Sequence, residues 1–139
     1  MFTSEIQVRV RYSETDMMGF VYHAHYLPWF EIGRTELFKQ AGISYKELEL
    51  QGFRLPVLEV SAKYLKPAFY DDLITVRTTL VEKPLLRLKL EYEIKREDDI
   101  LTTGTSSHAF IDKSGKPVRP PEWAARLLEK AFALKSEQK

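Results

Sequence analysis

Residues 12–42, YSETDMMGFVYHAHYLPWFEIGRTELFKQAG, constrain the fold more than any other stretch, because they encode a helix that is apolar around most of its girth. From about His23, apolar residues recur at helical spacing through Tyr26, Phe30, Gly33 and Leu37. Leu27, Trp29, Ile32 and Phe38 lie off that stripe, so the helix is expected to be wrapped by other structure. Pro28 would break a helix interior but is tolerated in a first turn; the regular helix is therefore expected near Leu27, with residues 23–26 as a looser lead-in and Gly42 as a stop. Ahead of it, Glu14 and Asp16 close a run that ends a strand, and Gly19 allows a tight reversal. Such a helix needs a sheet around it.

The remaining sequence supplies one. Ile6, Val8 and Val10 alternate with Gln7, Arg9 and Arg11, a period-two strand whose apolar face Tyr12 continues. Residues 43–54 are polar and mixed, read as a short helical turn and a loop. Four strands follow, at about 57–66, 73–82, 86–95 and 101–111. In the first, Leu58, Val60, Ala62 and Tyr64 share a face opposite Glu59, Ser61 and Lys63. In the third, Leu86, Leu88, Leu90, Tyr92 and Ile94 are expected inward and Arg87, Lys89, Glu91, Glu93 and Lys95 outward. Pro120 and Pro121 lead into an amphipathic helix at about 122–134, with Trp123, Leu127, Leu128, Ala131 and Leu134 on its apolar side. This is an α+β pattern in which a sheet curls around the first helix. Its open edges make pairing with a second subunit the natural expectation.

Composition narrows the function. At 139 residues the chain reads as one domain, 1–139, with 44% hydrophobic and 29% charged residues, which is ordinary for a soluble globular protein. A net charge of +1 argues against broad electrostatic capture of nucleic acid. Without cysteine there is no disulfide, thiolate metal site or cysteine nucleophile, which suits a cytoplasmic protein. No apolar run is long enough for membrane insertion, and the opening MFTSEIQVRV has no signal-peptide core.

Tyr12, Thr15, Asp16, Gly19, Val21, Tyr22, His23, Tyr26 and Glu31, followed by Pro56, Tyr64, Pro67, Ala68, Asp71 and Asp72, resemble the 4-hydroxybenzoyl-CoA thioesterase type of hot-dog fold. The resemblance is greatest to the bacterial acyl-CoA thioesterases associated with the Tol-Pal system, and it covers nearly the whole chain, weakening after about Lys113. It implies a curved antiparallel sheet of about five strands around a long central helix, with a C-terminal helix. It also implies hydrolysis of acyl-coenzyme A thioesters without a metal or other cofactor, coenzyme A being part of the substrate. The family works as homo-dimers or homo-tetramers with active sites at subunit interfaces.

Thioester hydrolysis needs a nucleophile or base near the carbonyl carbon and a donor near the oxygen that becomes negative. The resemblance assigns the first role to Asp16, as nucleophile or general base, and the second to the backbone N–H of His23 at the helix entry. Gly19 lets acid and helix end face the same point. An aspartate in a turn before a helix is otherwise a capping or turn residue. Tyr22 and Tyr26 read as packing residues whose hydroxyls could line an acyl pocket, and Glu59 as reaching a neighbouring subunit's site or facing solvent. Arg54 and Lys63, with Lys66, Arg87 and Arg119, are candidates for the coenzyme A phosphates, although such charges are ordinarily a solvated face. His23 and His25 lack an acid cluster, so no metal site is expected, and His108 reads as a structural histidine. Two other functions stay open. One is a non-catalytic module that binds acyl groups or protein partners; the other is a hydratase or dehydratase in which His23 and Asp16 act as a proton-transfer pair.

Overall fold

The computed structural model describes residues 1–84 and 86–137. Strand β1 spans Phe2–Arg9 and is followed, after the acid-bearing turn, by helix α1, Tyr26–Gln40. A one-turn helix α2, Tyr45–Leu50, is capped by the Ser44 hydroxyl, which accepts the Glu47 N–H. Strands β2 (Val57–Tyr64), β3 (Leu73–Leu80), β4 (Arg87–Arg96) and β5 (Asp99–Ala109) complete the sheet, and α3, Glu122–Glu137, closes the described chain. The sheet is antiparallel in the order β1-β3-β4-β5-β2. The chain therefore crosses by α1 from one edge strand to the other before the interior strands are laid between them. This five-stranded sheet with a long central helix and a C-terminal helix is the hot-dog arrangement.

Register assigns the faces. Ile6, Val76, Ile94, Thr102 and Tyr64 form one row across all five strands, and Glu5, Arg77, Glu93, Thr103 and Lys63 form the adjacent row on the opposite face. The first row faces α1; its three interior members are fully buried. Phe30 stacks on Tyr92 with ring centroids 4.3 Å apart. Gly33 approaches β3 so closely that a Cβ there would collide with the Thr78 side chain and lie 2.8 Å from Val76 Cγ1. On β5, a Cβ at Gly104 would run into the Phe30 ring. Two glycines on facing elements thus set the depth at which the helix sits. Trp29, Phe30, Leu37 and Phe38 are almost wholly buried, each contributing about 1.5–3 kcal/mol.

Helix α1 begins one residue before the expected position, with a 3-10 turn at His23–His25 as its lead-in and Pro28 in its first turn. Some expectations require correction. Tyr12 does not continue the inner face of β1; it is 76% exposed, with its ring edge-on to Tyr70. Leu86 lies just before β4 and is exposed rather than inward. Leu27 and Ile32 leave one side of α1 open, so the sheet wraps most of the helix and not all of it. Val60 and Tyr64 alternate as expected, but the register shifts at Leu58, between Val57 and Glu59, and all three side chains are about 45% exposed on the edge strand β2. On α3, Ala124, Leu128 and Ala131 are buried. The side chain of Leu134, expected on that apolar side, lies outside the described residues.

Candidate active site

The acid sits in a short hairpin. Thr15 and Val21 form an antiparallel bridge, the Asp16 N–H donates to the Phe20 carbonyl at 3.0 Å, and the Gly19 N–H donates to the Asp16 carbonyl at 3.0 Å. Gly19 takes φ +85, which a side chain would strain. The Asp16 carboxylate accepts the Met18 N–H through Oδ1 at 2.8 Å, a local turn bond that orients the group. Its second oxygen, Oδ2, has no hydrogen-bond partner among the described residues. One oxygen is held and the other is available.

The hairpin delivers the chain into the 3-10 turn. The Tyr22 N–H donates to the Glu14 carbonyl and the His25 N–H to the Tyr22 carbonyl, both at 3.0 Å. Among the described residues, the N–H groups of His23 and Ala24 donate to no carbonyl, as the geometry of a helix start dictates. The Tyr64 hydroxyl donates to the His23 carbonyl oxygen at 3.1 Å, and its ring packs edge-on to Tyr26 at 5.1 Å and to His23 at 6.2 Å. Burial raises the pKa of the Tyr26 phenol above its ordinary value, so it stays protonated at neutral pH.

Asp16, Tyr22, His23 and Tyr26 line a single cleft of about 490 Å³ together with Tyr64, Leu65 and Lys66. The site thus contains five of the candidate residues singled out from sequence, Asp16, Tyr22, His23, Tyr26 and Lys66, and Gly19 shapes the turn beside it. Others lie elsewhere. Lys63 belongs to the opposite face of the sheet with Arg77 and Glu93, and Glu59, opposite Ser107, lies on that face at the exposed edge. Arg54 pairs with Ile111 and lines a separate cleft with Glu31, Arg34 and Tyr45. Tyr64, which the sequence offers only as a strand position in the family-like run, also lines the cleft, as does Lys66, one of five candidates for the coenzyme A phosphates. Lys66 Nζ is held 3.1 Å from Asp99. The signal for both is their place at the end of an edge strand, which becomes meaningful only when that strand is known to finish beside the helix entry.

On the sheet's inner face, against α1, runs a polar chain that is buried from Tyr92 onward. Arg34 donates to the Tyr92 hydroxyl at 3.2 Å, Tyr92 is 2.6 Å from Ser106 Oγ, and Ser106 is 2.7 Å from His108 Nε2. Burial, reinforced by the Arg34 charge, lowers the His108 pKa to about 4, so the ring is neutral at physiological pH. His108 is wholly buried and apart from the Asp16 cleft, which fits a structural role. Among the described residues, no three His, Cys, Asp or Glu side chains are grouped to hold a metal, and no helix is long and apolar enough to cross a membrane.

The profile of the Thioesterase-like superfamily matches residues 10–128. YneP of Bacillus subtilis, provisionally assigned as an acyl-CoA thioesterase, is 37% identical over 129 residues, covering 88% of this chain and 94% of that protein. The acyl-CoA thioesterase YbgC of Haemophilus influenzae is 34% identical, covering 83% and 86% respectively. Among solved structures, a DHNA-CoA thioesterase from Staphylococcus aureus superposes with a TM-score of 0.91 at 34% identity, covering all of this chain and 97% of that one.

Proposed function

The chain belongs to the Thioesterase-like superfamily, and from that premise we propose that it hydrolyses acyl-coenzyme A thioesters, with Asp16 as the reacting acid and the His23 backbone N–H as donor to the oxyanion. The observation that carries the proposal is that an Asp16 carboxylate with one free oxygen and a helix-start N–H without an acceptor line the same cleft. In one route an Asp16 oxygen bonds to the carbonyl carbon and the carbon–sulfur bond breaks. Coenzyme A leaves as a thiolate that gains a proton, and water cleaves the mixed anhydride to free acid and Asp16. In the other, Asp16 takes a proton from a water whose oxygen attacks the carbonyl directly. Both place negative charge on the thioester oxygen, where the His23 amide and the helix dipole stabilise it; one such donor is worth about 3 kcal/mol of barrier in other enzymes.

Two copies pair through β2. Val57, Leu58 and Val60 are exposed on this free edge, and the cleft wall at Tyr64, Leu65 and Lys66 continues the same strand, so a partner seated there completes the site. The test is release of free coenzyme A from a panel of aliphatic and aromatic acyl-CoA thioesters by the wild-type protein and by Asp16→Asn. Turnover that falls by about three orders of magnitude in a folded variant supports the reading. Equal rates for the two proteins overturn it.

A further inference from the structure

Glu14 is a buried carboxylate two residues from Asp16, only 4% exposed. A buried charge persists where hydrogen bonds replace its water, and here two segments supply them to the carboxylate while a third bonds to the Glu14 backbone. Oε1 accepts the Arg11 N–H at 2.7 Å, at the end of the β1 segment. Oε2 accepts the indole Nε1–H of Trp29 at 3.1 Å, on α1, and lies 3.6 Å from the Arg11 guanidinium. Its backbone carbonyl accepts the Tyr22 N–H at 3.0 Å, on the opposite limb of the hairpin. The Arg11 bond is an ordinary cap of the 3-10 turn at Tyr12–Glu14. The bond to Trp29 is not, because capping needs no partner on α1. Among the described residues, Glu14 is the one side chain of residues 14–22 that hydrogen-bonds to α1. Trp29 is itself 1% exposed, and its indole is a donor with no alternative use.

The reacting groups are carried by the two bodies this bond joins: Asp16 by the hairpin, and the His23 N–H by the helix entry. We propose that Glu14 is a positioning residue, which through Trp29 holds the Asp16 carboxylate in register with the oxyanion donor at the start of α1. The proposal rests on the reading of Asp16 as the reacting acid. The acid and the amide must meet the same carbonyl group, and a displacement of about 1 Å between them costs roughly 100-fold in rate. Binding of the coenzyme A portion is untouched by such a displacement, so the loss falls on kcat.

The test uses Glu14→Gln, which keeps the size but leaves one acceptor oxygen for two donors, and Trp29→Phe, which removes the donor and leaves the Arg11 bond in place. Each is compared with Asp16→Asn in the coenzyme A release assay, with folded fraction measured by near-UV circular dichroism. The expected result is a fall in kcat of about 10- to 100-fold in either variant with KM within about twofold, and no further loss when Glu14→Gln is added to Asp16→Asn. Wild-type kcat in a folded Glu14→Gln or Trp29→Phe overturns the role of Glu14 alone. So does a Glu14→Gln effect of equal size in the Asp16→Asn background, since it would not be acting through Asp16. If Asp16→Asn itself turns over at the wild-type rate, the reading of the reacting acid fails and the positioning role falls with it. If Glu14→Gln does not fold, Trp29→Phe decides.

Discussion

The hydroxyl of Tyr64, the last residue of β2, donates to the carbonyl oxygen of His23, the first residue of the 3-10 turn that opens into α1. That carbonyl also accepts the Tyr26 N–H, so the helix entry is held from inside by its own turn and from outside by the edge strand. Removing the hydroxyl with Tyr64→Phe leaves the ring contact with Tyr26 and deletes the outer bond. The expected cost is about 1 kcal/mol, read as a roughly fivefold lower kcat/KM in steady-state assays. An unchanged kcat/KM would show that the outer bond does not steady the helix entry.

Of the two proposed hydrolytic routes, only the nucleophilic one can carry solvent oxygen into the Asp16 carboxylate. If Asp16 is the nucleophile and water attacks the mixed anhydride at the Asp16 carbonyl carbon, repeated turnover in water enriched with heavy oxygen labels the Asp16 carboxylate, an outcome that a general base does not give. Mass spectrometry of the peptide carrying residues 12–34 is expected to show the label under that route. If Asp16 acts only as a base, the label appears in the released acid and not in the peptide.

Packing depth at Gly104 gives a stability prediction. A Cβ there collides with the Phe30 ring and lies 2.7 Å from the Ser61 carbonyl oxygen, so neither the helix nor β2 can relax independently. Gly104→Ala is expected to destabilise the fold by about 1–3 kcal/mol in urea unfolding. A neutral effect would mean that α1 can lift from the sheet.

His108 makes stability depend on pH. Its folded pKa of about 4 lies below the ordinary 6.5, so between those values the unfolded chain binds a proton that the folded chain refuses. The stabilisation is therefore fully present above about pH 6.5 and is lost as pH falls toward 4, by about 3 kcal/mol in total. His108→Gln should flatten that part of the unfolding free-energy profile, measured from pH 4 to 7 by denaturant titration. A slope that survives the substitution would assign the proton uptake to other groups.

The physics that made part of this protein legible is local. The stripe Tyr26, Phe30, Gly33 and Leu37, the lead-in forced by Pro28, and the alternation of Leu88, Leu90, Tyr92 and Ile94 follow from helix and strand periods and backbone sterics, and all four stripe residues are buried as their spacing requires. The turn at Gly19 and the position of Asp16 before a helix start were equally readable. Which strands are edges was not, because period-two alternation does not distinguish an interior strand from β2, where Leu58, Val60 and Tyr64 are half exposed. Site membership was decided the same way. Lys63 and Lys66 are three residues apart, but strand pleating places Lys63 on the far face, while the chain leaving β2 carries Lys66 to the cleft. The sequence by itself determined the elements, the helix entry and the acid, since those depend on neighbours along the chain. Only the tertiary structure decided that β2 ends beside that entry and that Glu14 reaches Trp29, because both depend on contacts between segments that the sequence separates.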